Sequence, residues 1–429
     1  MTLDIAGSAG ALARKRRARR TVMHEPVAPN SRRQPPELLL RLIRPLIRPW
    51  LNRIGSGSLT LVLPTGMTLH HRADKAGPDA VLILRRWRAL WRLAAAGDLG
   101  LARAYIDGDC RTPDLKSLID FGARNSSGRS DAPSGLPLAR LIDRVRHGLR
   151  ANTRRGSRRN IAAHYDLGNT FYSHWLDRGM NYSSALYEPD VETLEQAQHA
   201  KLARIAQLLE VAPGNRVLEI GCGWGPLMER LAVDHGCAVT GVTLSARQLE
   251  FAHNRLSRAA PGRCEIRLQD YRDIKGRFDR IVSIEMLEAV GEKYWPIYFR
   301  QLRQLLADDG CAVIQIITID EARFARYRRR PDFIQRFIFP GGMLPTKSVL
   351  SRQSARAGLR IVTRQDFGPS YARTLAEWRR RFLAGWPDIA PLGFDLRFKR
   401  MWDYYLTYCQ VGFEIGAIDV SLVKLVPEP

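Results

Sequence analysis

Three glycines at alternate positions, Gly221, Gly223 and Gly225, follow a short apolar run, RVLEI (216–220), and precede Pro226. A glycine-rich turn between a strand and a helix lets a ligand approach the backbone closely, because no Cβ stands in the way. Nicotinamide dinucleotide sites also use such a turn. Their GxGxxG spacing ends on a glycine that packs helix on strand, and that spacing is missing here. No GxxxxGK[ST] sequence is present, which excludes a nucleoside-triphosphate loop. The six cysteines, Cys110, Cys222, Cys237, Cys264, Cys311 and Cys409, are scattered singly. Without a CxxC pair they suggest no zinc site, and they are too sparse for a disulfide framework. No metal site is expected.

A turn of this kind needs a strand before it, a helix after it and further strands beside it. RVLEIGC (216–222), CAVTGVTL (237–244), CEIRLQD (264–270), RIVSIEM (280–286) and CAVIQIIT (311–318) are short apolar runs. Helical patterns alternate with them at 193–210, 225–234, 245–257 and 294–306. Strands alternating with helices predict a parallel α/β sheet with helices on both faces. Glu219 extends the glycine motif to ExGxGxG, the form of class I methyltransferases, whose cofactor is S-adenosylmethionine and whose sheet is Rossmann-like. The second strand of the pattern ends at Thr243, where an acidic residue for the ribose hydroxyls would be usual.

Upstream, the composition shifts. Residues 1–36 read as a basic, disordered N-terminus. Residues 37–121 read as a smaller helix-rich α+β domain. Within it, 37–54 resembles a surface-lying membrane helix interrupted by Pro45 and Pro49, or a short core helix plus a turn. Residues 58–64 alternate like a strand. Residues 81–121 read as helix-rich, with Leu90, Leu93, Leu99, Leu101 and Ala102 as core candidates. Residues 122–158 have the composition of a linker, and 159–429 form the catalytic domain.

The formal net charge is +24, from 67 basic and 43 acidic residues. Such a field favours a polyanion, while a solvated arginine-rich surface is the plainer reading. Residues 1–60 alone hold twelve basic and three acidic residues, without the aromatic-glycine pattern of an RNA-recognition module. That favours an anionic membrane surface over nucleic acid. No apolar run is long enough to span a membrane, and no apolar core follows the basic N-terminal cluster as in a secretory signal. The expected location is the cytoplasm, at the inner face of the membrane.

Residues 159–427 resemble the cyclopropane-fatty-acyl-phospholipid synthases and the related mycolic-acid methyltransferases. The resemblance is carried by NIAAHYDLGNTFYSHWLD (160–177), MNYSSALY (180–187), VLEIGCGWG (217–225), GVTLSARQ (241–248), LQDYRDI (268–274), FDRIVSIEMLEAVG (278–291), FIFPGGMLP (337–345), FGPSYARTLAEW (367–378) and YYLTYCQVGFEIGAIDV (404–420). GDLGLARAYIDGDCRTPDL (97–115) looks like part of the small lipid-engaging domain that precedes the catalytic domain in such synthases. For the cofactor, the resemblance implies that Tyr182 and Ser183 contact the methionine end. Val217 through Gly225, including Glu219, Gly221, Cys222 and Gly223, line the turn. Thr243, Leu244 and Gln248 replace the ribose acid, and Asp270 and Tyr271 flank the adenine.

The chemistry implied is attack of a cis double bond in a phospholipid acyl chain on the electrophilic methyl. A base then removes a proton from the transferred methyl, and a cyclopropane closes. That demands dry walls, alignment and a positioned base. The resemblance implies a bound bicarbonate as base, held by Glu288, with Tyr371 donating to it and Ile317 contributing its backbone. Ser184 stands where cysteine is common and Gln315 where histidine is common; both can hydrogen-bond an oxyanion. The loss of histidine points to a methyl- or methylene-branched product as the alternative outcome. Glu285, three residues before Glu288, competes for the carboxylate role. Cys409 matches a cysteine once proposed as a nucleophile and reads more simply as a core thiol. His164 and Tyr165 begin a segment that implies a lid. The partner expected is an unsaturated phospholipid in an anionic membrane surface, with no nucleic acid and a homodimer left open. The competing classes are a methyltransferase for a soluble small molecule and a nucleic-acid-modifying enzyme.

Overall fold

The computed structural model describes residues 54–126, 167–190 and 192–428. The expectations for 1–36, for 37–53, for most of the linker and for His164 and Tyr165 lie outside these residues.

Each strand around the glycine turn is buried on both sides, and its alternate residues serve two separate cores. In β5 (Arg216–Ile220) Val217 belongs to one core, while Leu218 and Ile220 belong to the other. The same division splits Val313 from Ala312 and Ile314 in β9 (Leu306–Ile319). Helices must therefore cover both faces. One face is covered by α4 (Leu194–Leu209) and α5 (Pro226–Val233). The other is covered by α8 (Trp295–Leu305) and α10 (Lys347–Arg356). Each fully buried aliphatic side chain stabilises the layering by about 1.5–3 kcal/mol. Thr193 starts α4 with a capping box that pairs it reciprocally with Gln196.

The remaining strands are β6 (Ala238–Thr243), β7 (Cys264–Leu268), β8 (Phe278–Ile284), β10 (Leu359–Asp366) and β11 (Ile418–Pro427), and the sheet order is β10-β11-β9-β8-β5-β6-β7. The five strands read from the sequence are parallel. To these, β10 and β11 add an antiparallel edge, because β11 pairs antiparallel with both β9 and β10. This is a class I methyltransferase fold, a Rossmann-like sheet with helices on both faces.

The smaller sheet, in the order β2-β1-β3-β4, is built from β1 (Ser56–Val62), β2 (Thr68–Arg72), β3 (Lys75–Leu84) and β4 (Cys110–Arg111). Two helices accompany it, α1 (Arg88–Ile106) and α2 (Leu115–Ser126). The reading of 81–121 as helix-rich holds over α1 and α2, with the end of β3 and the short β4 as strands within it. Gly97 breaks α1 with φ 54° and ψ −128°. The two halves then meet so closely that a Cβ on Gly100 would lie 1.8 Å from the Arg92 carbonyl. Because of that break Ala102, Ala104 and Ile106 are buried, while Leu90, Leu93 and Leu101 stay partly exposed.

A long helix, α13 (Leu396–Glu414), touches both sheets' helices. Its Asp403 accepts from Tyr105 Oη (2.9 Å) and from Arg379 Nε (2.6 Å) of α11 (Gly368–Ala384). Replacing Tyr105→Phe leaves Asp403 with the arginine alone. It should cost about 1–2 kcal/mol, read as a lower urea midpoint with an unchanged slope.

Candidate active site and cofactor cradle

All three motif glycines have left-handed backbones, with φ of 83°, 55° and 82°. A Cβ on Gly221 would stand 3.3 Å from Met286 Cγ, and one on Gly225 would stand 3.2 Å from Ala252 Cβ. At Gly223 nothing lies within 4 Å, so a side chain there would project into open space. The amides of Gly221 and Cys222 both donate to the Val242 carbonyl (2.9 and 3.1 Å), which pins the turn to β6. Pro226 then opens α5 in its first turn.

The other expected cofactor residues gather at the same ends of the strands. Thr243 Oγ1 donates to Gln248 Oε1 at 2.8 Å, and Ser245 caps α6 (Ala246–Ala259). Leu244 is partly exposed beside them. Asp270 is buried in an ion pair with Arg272 at 2.6 Å, and Tyr271 is buried against Tyr298. Tyr182 Oη lies 3.0 Å from Tyr405 Oη, and Ser183 Oγ accepts from Lys201 Nζ at 2.8 Å. Val217 and Cys222 face protein: the first is wholly enclosed in the core, and burial pushes the Cys222 thiol well up. Burial likewise raises Glu219 to about 8, and one of its carboxylate oxygens has no hydrogen-bond partner.

Two further carboxylates sit where β8 ends. Glu285 follows that strand with φ 49°, a left-handed backbone that is rare for a residue with a side chain. Its Oε1 accepts from the Ser184 amide (2.9 Å) and from Gln315 Nε2 (2.7 Å). Its Oε2 accepts from Tyr371 Oη (2.6 Å). Glu288, in the short helix α7 (Leu287–Val290), has one acceptor atom on the Ile317 amide (2.5 Å), and its Oε2 is buried without a partner. The groups expected around one anion are therefore divided. Ser184, Gln315 and Tyr371 meet Glu285, and Ile317 meets Glu288. The Ser184 hydroxyl itself turns back to the Ala185 carbonyl. Cys409 lies nearby, half-buried, with its thiol pushed up mainly by burial.

Burial raises both glutamates, and for Glu288, at about 8, the neighbouring Glu285 charge adds to it. The three donors around Glu285 oppose its shift, whereas Glu288 is opposed only by backbone groups. The environment thus favours an anionic Glu285 beside a protonated Glu288. Lys201 is the fully buried cation of this cluster, lowered to about 8 chiefly by desolvation and facing Glu285, Asp177 and Glu219. Sequence reasoning passed over it. Its signal was a lysine on the buried stripe of α4, between Ala197 and Ile205.

Comparison with known proteins concerns the chain as a whole. Residues 152–423 match the family model described as mycolic acid cyclopropane synthetase. A tuberculostearic acid methyltransferase of Mycobacterium tuberculosis is 38% identical over 381 residues, 86% of this chain and 88% of that protein. A cyclopropane-fatty-acyl-phospholipid synthase of Escherichia coli is 36% identical over 348 residues, 78% of this chain and 84% of that protein. A crystal structure of a mycolic acid cyclopropane synthase complexed with SAH and CTAB superposes with a TM-score of 0.59 at 31% identity, covering 62% of this chain and 97% of that one.

Two outcomes are expected. Gly223→Val should lose cofactor binding in calorimetry while circular dichroism stays native, because the added atoms enter ligand space and not the core. At pH 7 infrared spectroscopy should show a protonated buried carboxyl. That band should fade as pH rises through about 8 and lose intensity, without vanishing, in Glu288→Gln, because Glu219 still contributes to it.

Proposed function

Since this chain belongs to the mycolic acid cyclopropane synthetase family and is an S-adenosylmethionine-dependent methyltransferase, we propose that it alkylates the cis double bond of an unsaturated acyl chain in a membrane phospholipid, giving a cyclopropane. The observation that carries this reading is the cluster of buried aromatic rings and buried carboxylates beside the glycine turn. A site for a polar acceptor would have to offer exposed donors, whereas these donors are spent on buried carboxylates.

The residues suit the cofactor. Gly223 leaves its ligand side open, Glu219 keeps an unpartnered oxygen, and Thr243 with Gln248 offers a polar pair in place of the ribose acid. S-adenosylmethionine supplies an electrophilic methyl when bound there. The chain's own part is to orient, to exclude water and to accommodate positive charge. Tyr182 packs against Tyr172, Trp175 and Trp378, with ring centroids 5.4 Å apart in each pair. Tyr371 lies at the edge of this group, 6.1 Å from Trp378. Such ring faces stabilise a cation developing on the acyl chain. Backbone donors reach Thr374 and Ser370 from Ala185 and Tyr187, holding the 182–187 segment against α11.

Bicarbonate does not fit this arrangement as a held anion. Each donor expected for it is already bound to a glutamate, and the unpartnered atoms left, Glu288 Oε2 and Gln315 Oε1, are both acceptors or acids. No step is assigned to it. The second reading for the product is a methyl- or methylene-branched chain. It is favoured by Gln315 in place of the histidine and by a relative named a methyltransferase.

The basic N-terminal segment supports peripheral attachment to an anionic membrane. The described surface adds to it: Trp91 and Leu396 are exposed, and their neighbours Arg92 and Arg397 share Asp107. Among the described residues no helix is long and apolar enough to cross a membrane.

Enzyme incubated with methyl-labelled cofactor and unsaturated phospholipid vesicles should place the label in the acyl chain. Fragmentation mass spectrometry should then distinguish a ring from a branch. An unlabelled lipid fraction beside a labelled soluble compound would sink the proposal. Deleting residues 1–54 should weaken binding to anionic vesicles and flatten its salt dependence, at about 1 kcal/mol for each basic residue near the surface.

A further inference from the structure

The base of this site need not come from solution. We propose that the Glu285 carboxylate, held by Ser184, Gln315 and Tyr371, is itself the catalytic base and takes the place of bicarbonate. This inference rests on the proposed alkylation of an acyl double bond, but its central test does not.

Four observations converge on it. First, the donor set expected around a small oxyanion is present, complete except for the Ile317 amide, and a carboxylate of this chain fills it. Second, Glu285 reaches that place by holding φ at 49°. A non-glycine residue is seldom kept there unless the surroundings over-determine it, and such residues cluster at functional sites. Its amide is fixed by the Gln315 carbonyl (2.8 Å), so the strained residue is clamped to β9. Third, a carboxylate offers about four lone-pair positions. Three are used, two on Oε1 and one on Oε2. The remaining position on Oε2 is available to a proton from substrate. Fourth, a Cβ placed on Gly221 would meet Met286 Cγ at 3.3 Å, so the residue next to Glu285 lies close against the glycine turn and Glu285 is not at a remote core position.

Gln315 fits this assignment better than a histidine would. Its amide nitrogen donates to Glu285 without competing for the proton, whereas an imidazole would titrate in the same range. Glu288 then acts as a positioning residue. Protonated and tied to Ile317, it avoids a second negative charge in the cluster. Lys201, through Ser183 Oγ, steadies the segment whose next amide, that of Ser184, binds Glu285.

The step balances. The alkene π pair forms the bond to the methyl carbon, and the sulfur–methyl bond breaks with its pair left on sulfur. The neighbouring carbon becomes cationic. Glu285 Oε2 takes one proton from the transferred methyl, and the C–H pair closes the ring onto that cation. Glu285 leaves as the neutral acid and returns its proton to solvent after product departs.

The test uses the full-length enzyme saturated with S-adenosylhomocysteine and isotope-labelled bicarbonate. Wild type should bind no bicarbonate. Glu285→Gly should bind it, because glycine tolerates the positive φ and removing the side chain frees three donors facing a carboxylate-sized space. Stoichiometric bicarbonate binding by wild type would overturn the proposal, whatever the enzyme methylates. In turnover assays wild type should be indifferent to removal of bicarbonate and carbon dioxide. Glu285→Gln should lose about 100–10,000-fold with cofactor affinity unchanged, and Glu285→Gly should gain activity when bicarbonate is added. A Glu285→Gln enzyme near wild-type turnover would also overturn the assignment. Wild type that leaves unsaturated phospholipid unlabelled would count against the proposed substrate instead, and the bicarbonate-binding result would still decide the role of the pocket.

Discussion

Burial of carboxylates at the ends of β5 and β8 is the constraint around which this protein is arranged. Glu219, Glu285 and Glu288 all lie out of water, with Lys201 as the fully buried cation beside them. An ionised carboxylate deprived of solvent is costly unless donors replace the water. Three parts of the chain far apart in sequence supply them: the 182–187 segment, β9 and the start of α11. Each of those parts must hold its place to within hydrogen-bond distance. The same contacts that make the acids tolerable therefore also fix the walls of the site.

That demand explains the layering. Two cores, one on each face, make the sheet a rigid platform, and the strand ends inherit its precision. The turn after β5 is pinned by the Val242 carbonyl, and Glu285 by the Gln315 carbonyl, so cofactor cradle and carboxylate are referenced to neighbouring strands of one sheet. α13 extends the platform. It carries Tyr405 to the aromatic group beside Tyr182 and, through Asp403, ties in Tyr105 of the smaller sheet's helix. A surface that met lipid at the smaller sheet would thus be mechanically continuous with the site.

The aromatic residues have a second role beyond packing. Trp175, Trp224, Trp378 and Trp402 are almost wholly enclosed, and Tyr172 sits among them. They exclude water from the place where the proposed reaction would need a base to hold its proton affinity and a carbon cation to avoid a hydroxyl. Among the buried polar atoms without a partner are oxygens of Glu219, Glu288 and Gln315 at this end of the sheet.

Local pattern alone determined the platform. The five parallel strands and their helices are legible because alternating apolar runs and 3.6-residue periodicity are properties of contiguous residues. The cradle is legible because left-handed turns select glycine, and Gly221, Gly223 and Gly225 stand in one. Glu219 and Thr243 stand at strand ends legible in that pattern, whereas Gln248 was reached only through the family resemblance. Other features had no local signature. β11 runs antiparallel because its partners, β9 and β10, lie elsewhere in the sequence and decide its direction. Lys201 was hidden because a buried cation makes sense only when the acids around it are known. The division of labour between Glu285 and Glu288 was equally hidden. They are three residues apart and chemically identical, and the donors that separate them come from Ser184, Gln315 and Tyr371. Which carboxylate those groups meet depends on the register of β8 against β9 and on the seat of α11. Those are set by packing across the whole domain, and no stretch of sequence around either glutamate contains that information.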